Sequence, residues 1–260
     1  MTKTLHLLLP EFQSFLALIV RIGGLLAALP ILSGHAVPLK VKVLLVLALG
    51  VVLAPVVRLP IVPSDPIALA AGLAGELAIG LTIGLAVRLF FGALELAGDI
   101  VGMQMGFGVV QLLDPATSHQ TPVVGRLFTL LASLVFLSLN AHVVVVSTIV
   151  ASYEAIPAFG TFLPMGLGEE ILHLSREMFV IGLKLAAPVL VTILVTNVLL
   201  AILGRAVAQI NVFVLSFPVT IAGGLAILAL TMPFVVGLLG REIERLEFVI
   251  ARLLSLMGHG

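Results

Sequence analysis

The chain has 260 residues, 61% hydrophobic and 10% charged, with 13 Lys and Arg balancing 13 Asp and Glu and a mean hydropathy of +1.30. A soluble domain needs about 25% charged residues to cover its surface, so water is excluded as the main solvent and a bilayer is the expected surrounding. Zero net charge without a Lys/Arg cluster excludes a nucleic-acid partner, and the absence of Cys excludes disulfides, Cys-ligated zinc and thiol catalysis while leaving the compartment open.

Apolar runs cover Phe12 to Leu32, Val41 to Val57, Ile67 to Leu94, Pro122 to Ala151, Met178 to Leu203 and Ala206 to Leu239. They are continuous instead of alternating, and most exceed the roughly 20 residues a helix needs to cross hydrocarbon. The expected fold is therefore all-α and multi-pass, with about six apolar segments in a single domain over 1–260. The first run carries Arg21 in its middle and leads straight into another, so it is expected to be retained and not cleaved as a signal peptide. Turn chemistry separates the runs at Ser33-Gly34-His35, from Pro55 to Pro66, from Asp114-Pro115 to Pro122, from Pro157 to Pro164 and at Gly204-Arg205. Glu169 to Glu177 reads as a short helical piece with acids near its start. Lys and Arg divide too evenly between alternate loops to set an orientation.

Trp is absent and there is one Tyr, so the interfacial aromatic belt of a lipid-embedded protein is nearly missing. Lipid is accordingly not expected to surround the whole chain.

Five cations and acids fall within or beside apolar runs: Arg21, Glu76, Arg88, Lys184 and Arg205. Ionisable groups there are costly unless paired or wetted, so each is a functional candidate with pairing as the alternative. On one continuous helix Arg88, Glu95 and Asp99 share a face, compatible with an internal ion-pair network, a subunit contact or the lining of a polar path. His142 lies in an apolar run and is expected to be an interhelical hydrogen-bonding residue instead of a metal ligand.

Glycines recur at four-residue spacing. Gly80 and Gly84 make one such step, and Gly98, Gly102 and Gly106 make two more. This spacing clears one ridge of a helix and lets another backbone approach closely, either within the chain or from a different subunit. The segment that follows, through Met103, Met105, Gly106, Phe107, Gly108 and Val109 to Asp114-Pro115 and Pro122, is too rich in glycine and turn residues for a robust helix. Met103, Met105 and Phe107 are suited to an adaptable seal.

Enzyme signatures are missing. Glu170 and His173 have the spacing of a di-iron helix, but only one copy exists where two are needed. There is no HExxH, GxSxG or phosphate-binding loop, so neither catalysis nor a cofactor is expected.

Taken together, several stretches resemble the FliR family of flagellar biosynthesis, shared with the SctT (SpaR/YscT-type) export-apparatus proteins of virulence type III secretion. They are Arg21-Ile-Gly-Gly-Leu-Leu, Pro30, Val37-Pro-Leu-Lys-Val-Lys42, Gly75-Glu76-Leu-Ala-Ile-Gly80 and Glu95-Leu-Ala-Gly-Asp99-Ile-Val-Gly-Met-Gln-Met-Gly106. Asp114-Pro115, Thr121-Pro122-Val, Asn140-Ala-His142, Asn197, Arg205, Asn211-Val-Phe213 and Phe217-Pro218 complete the set. They keep the family's order over nearly the whole chain. The departures are Ala208-Gln209 where the family often has Pro-Gln, and Asn140-Ala141-His142 where it often has Asn-Gly-His.

The resemblance implies a core subunit of the export gate, in the bacterial inner membrane at the centre of the flagellar basal body. Its partners would be several copies each of FliP and FliQ, with FlhB joining and FlhA nearby, and unfolded flagellar proteins as cargo. It implies that Gly106 to Pro122 form a plug projecting into the closed pore, and that part of the apolar surface meets protein instead of lipid. A virulence export subunit is the alternative within the family. A small secondary transporter or channel is the alternative outside it, and no clear inverted repeat supports one.

Overall fold

In the computed structural model the described residues are all but 1, 30–31, 33–36, 58–64, 108–122, 161–165, 208–210 and 259–260. They form helices and turns with no strand among them. The helices are α1 (Thr2–Ala28), α2 (Leu39–Leu53), α3 (Pro66–Gln104), α4 (Val123–Ser138), α5 (Ala141–Ala155), α6 (Leu167–Ala206) and α7 (Val212–Gly258).

The helix starts follow from local chemistry. The Asp65 carboxylate accepts the Ala68 backbone N–H at 3.1 Å, and Pro66 occupies the first helical position, where its missing N–H costs nothing. The Asn211 side-chain oxygen accepts the Val214 N–H at 3.3 Å in the same role for α7. On α6, Glu169 and Glu170 lie in the first turn and Arg205 in the last, both complementing the helix dipole.

The six apolar runs do not become six spans. Three helices are long and apolar enough to cross a membrane, α3, α6 and α7, with the broken pair α4 and α5 as a fourth. The run from Pro122 to Ala151 is interrupted because Asn140 takes a left-handed conformation, φ 55°, which ends one helix before the next begins. The last run continues in the opposite sense: α7 passes through Pro218 and Pro233 for 47 residues, and Gly223-Gly224 does not turn it into a hairpin. Glu169 to Glu177 is likewise the first part of a 40-residue helix, not a separate piece. With 15 residues, α2 reaches only about 22 Å, short of a roughly 30 Å hydrocarbon core.

Two compact units are formed. The first comprises Met1–Leu89, Asn140–Leu174 and Ile243–Gly260, and the second Phe90–Leu139 and Ser175–Glu242. In the first unit Leu18, Ile22, Leu25, Ile83, Val87 and Ile149 are buried. In the second the core includes Phe91, Leu94, Phe128, Leu185 and Ile193, with the Phe91 and Phe136 rings 5.6 Å apart.

Candidate functional site

In the first unit, two sequence candidates meet. Arg21 on α1 and Glu76 on α3 are 1% and 0% exposed, which in an apolar chain requires full compensation of both charges. The guanidinium supplies a two-pronged contact: Arg21 Nε donates to Glu76 Oε2 at 2.6 Å and Nη2 donates to Oε1 at 3.1 Å. Its remaining donors reach Ser152 Oγ at 3.0 Å and the Ile156 carbonyl at 3.2 Å. Each carboxylate oxygen takes a second donor, Oε2 from Tyr153 Oη at 3.1 Å and Oε1 from the Phe159 backbone N–H at 3.0 Å. The guanidinium carbon also lies 3.7 Å from the centre of the Tyr153 ring, close enough for a cation–π contribution.

No buried side-chain polar atom among the described residues lacks a partner. The cluster is thus a closed fastening that joins α1, α3, α5 and the turn after α5. Phe159 sits in that turn at φ 62°, a conformation that is uncommon for a bulky residue, and its N–H is held by Glu76. Ser152, Tyr153 and Phe159 were not singled out from sequence. The available signal was a Ser-Tyr pair, including the chain's only Tyr, inside an apolar run ending near Pro157.

The glycine spacing explains how this pair comes together. A Cβ on Gly80 would overlap the Arg21 carbonyl oxygen, one on Gly84 would lie 2.7 Å from the Leu25 carbonyl oxygen, and one on Gly24 would lie 2.9 Å from that of Leu77. Small residues on both helices therefore interlock, with α1 and α3 in near backbone contact. This places the first glycine step in packing within the chain.

The other charges are placed differently. Arg88, Glu95, Lys184, Arg205 and His142 are exposed, and Asp99 is half-buried. No ion pair joins Arg88, Glu95 and Asp99 among the described residues, so the internal network that their shared face allowed does not form. Arg88 and Glu95 are two turns apart, about 10.5 Å along the axis, and the one-turn neighbours Glu95 and Asp99 carry like charges. His142 has no hydrogen-bond partner among the described residues, because the buried face of α5 is that of Ala141, Val145 and Ile149. No group of three His, Asp or Glu capable of holding a metal occurs among the described residues. Glu170 instead pairs with Arg252 at 3.1 Å.

The second unit holds the described root of the expected plug. A Cβ on Gly98 would lie 2.7 Å from the Gly125 backbone N, so α3 and α4 also touch through backbone, whereas one on Gly102 would meet Val124 at an ordinary 3.7 Å. Helix α3 then stops through a defined cap. Phe107 N–H donates to the Gly102 carbonyl and Gly106 N–H to that of Met103, both at 3.1 Å, with Gly106 at φ 94°. This pair of bonds is a Schellman motif, and its left-handed position is one that glycine adopts without strain.

Around the cap the two methionines part. Met103 is 65% exposed while Met105 is fully buried, set against Gly224, where a Cβ would approach within 2.7 Å of its side chain. Thr220 Oγ1 donates toward the Met105 carbonyl at 3.3 Å. Phe107 is half-buried. Gly108, Val109, Asp114, Pro115 and Pro122 lie outside the described residues.

Comparison with known proteins agrees with this helical, apolar architecture. Over 219 residues the chain is 31% identical to the flagellar biosynthetic protein FliR of Pectobacterium carotovorum subsp. carotovorum, covering 83% of each. It is 30% identical over 217 residues to that of Escherichia coli (strain K12), covering 84% of this chain and 83% of the relative. With the FliR of Bacillus subtilis (strain 168) the identity is 30% over 226 residues, 85% and 86% of the two chains. Residues 12–246 match the family described as Bacterial export proteins, family 1, and the chain belongs to that family.

Proposed function

We propose that this chain is a core subunit of the flagellar type III protein export gate, forming with FliP and FliQ the channel by which unfolded flagellar proteins cross the inner membrane. Membership of an export family supports a role in moving protein, without catalysis or a cofactor. The three relatives compared are all named for flagellar biosynthesis, which favours the flagellar form over the virulence form.

The observation that carries the reading is the uneven burial of the long helices. In their most apolar stretches α3 is 61% buried, whereas α6 and α7 are only 28% and 22% buried. Leu194, Val195, Val198, Leu199 and Ile202 remain open on α6, as do Leu225, Leu230 and Phe234 on α7. Faces of this kind, with almost no Trp or Tyr in the chain, suit unlike helical subunits. Purified from gentle detergent, the chain is expected to carry FliP and FliQ with it, and FlhB more weakly. Recovery only as a monomer or homo-oligomer, with FliP and FliQ present in the same membranes, would count against the gate.

The segment from Gly106 to Pro122 is assigned in this proposal as the plug that obstructs the conduit at rest. Removing 109–119 is expected to raise ion leakage across membranes containing the assembled complex. Unchanged leakage with intact assembly would remove the plug assignment and leave the subunit assignment standing.

A further inference from the structure

The first unit contains a cavity of about 320 Å³ that none of the functions above uses. Its wall is built by Ile19, Gly23 and Leu26 of α1 and by Lys42, Val43 and Leu47 of α2. Two features give it a direction. Val43 and Leu47 are exposed, so the cavity adjoins the surface along α2. Lys42 is the one charged residue in the wall, and Lys40 is exposed in the same first helical turn.

The charge around this end is uncompensated in sequence. From Phe12 to Ser64 there is no Asp or Glu, and Arg21, the cation nearest in sequence on α1, is consumed by Glu76. A pair of lysines at the start of a helix is moreover on the wrong side of its dipole, where an anion would be favoured. Gly23 adds a steric observation. Unlike Gly24, Gly80 and Gly84, which are locked against backbone, Gly23 has nothing within 4 Å of the position a Cβ would take. Its missing side chain leaves space in the cavity itself.

We infer that this cavity is a binding site for one acyl chain of an anionic phospholipid, with the phosphate at Lys42 and Lys40 and the chain running along Gly23. An apolar hollow with a cation in its wall matches the amphiphile's two parts, and basic pockets between membrane helices have this use. The volume falls at the small end of ligand cavities. It suits a flexible hydrocarbon chain better than a protein helix, which is about 10–12 Å across with side chains. The site is independent of the export-gate assignment, since it uses only α1 and α2 of the chain itself.

The test uses the full chain, purified in detergent with its accompanying membrane subunits and incubated with phosphatidylglycerol or phosphatidylcholine. Retained lipid is counted by native mass spectrometry. The wild-type chain is expected to retain phosphatidylglycerol preferentially. The paired substitution Lys40→Gln and Lys42→Gln is expected to reduce that preference by roughly tenfold or more. Gly23→Phe should abolish retention, while Gly237→Phe, at an equally open glycine outside the cavity, should not. Helical circular dichroism checks the fold of Gly23→Phe, and if that variant fails to fold the lysine pair alone decides.

Equal retention of the two lipids by the wild-type chain would overturn the inference. So would a lysine variant with unchanged preference. Loss of an unlike protein subunit from folded Gly23→Phe, with lipid retained, would assign the cavity to protein and overturn it as well.

Discussion

Arg21→Ala is expected to destabilise the chain by about 3–5 kcal/mol, because it strands the fully buried Glu76 carboxylate without its countercharge. Tyr153 Oη and the Phe159 N–H would still donate to that carboxylate, but neutral donors cannot replace a guanidinium that meets both oxygens. Thermal unfolding in detergent micelles, followed by helical circular dichroism, measures the loss. Replacing both partners together, Arg21→Met with Glu76→Leu, should recover much of it by removing both charges. Recovery should remain partial, since the Tyr153 hydroxyl and Phe159 N–H then lose their acceptor. A single variant that melts within the error of the parent would show that the pair is not a fastening.

Gly80→Val should be of comparable severity, near the upper end of the roughly 1–3 kcal/mol usual for overpacking. The obstacle is the Arg21 main-chain carbonyl, which has no rotamer by which to move aside. Relief therefore requires α1 and α3 to separate, and separation stretches the Arg21–Glu76 contacts one turn away. The two effects are expected to be coupled: Gly80→Val added to Arg21→Ala should cost less than the sum, by about 0.5–3 kcal/mol. Gly23→Ala, facing open space, is the reference and should be nearly neutral. Additive losses for Gly80 and Arg21 would argue that the glycine seam and the ion pair act separately.

Much of this arrangement was legible before any coordinates. The apolar runs identified helices, the four-residue glycine spacing identified close backbone approach, and Arg21 and Glu76 stood out as charges that needed compensation. Pairing between them was not legible, because 55 residues separate the two and nothing local links them. Tyr153 escaped notice for a related reason, as its ring and hydroxyl matter only once three helices meet. The number of spans was misjudged where one residue changes the backbone. Asn140 divides an apolar run that hydropathy treats as whole, while Pro218 and Pro233 fail to divide α7, as proline within an apolar helix is tolerated where neighbours satisfy the freed carbonyls. The proposed Arg88, Glu95 and Asp99 network failed on distance and sign, although its helical face was correctly drawn.

The end of α3 shows a different limit. Gly106 was read as part of a spacing pattern and as the start of a loop, whereas its backbone role is to terminate the helix. A glycine after a long apolar helix carries that meaning whenever the next residues leave the helix. The burial of Met105 beside exposed Met103 follows from the same stop, since only one of the two faces Gly224.

The single tyrosine also makes the chain its own optical instrument. With no Trp anywhere and one Tyr in the sequence, tyrosine emission and near-ultraviolet tyrosine dichroism of the isolated chain arise from one ring. That ring is buried beside the Arg21 guanidinium and hydrogen-bonded to Glu76. Helical dichroism reports the average of all seven described helices; the tyrosine signal reports a single junction among three of them. Loosening of that junction would therefore be visible spectroscopically before the helices themselves melt, without introducing a label.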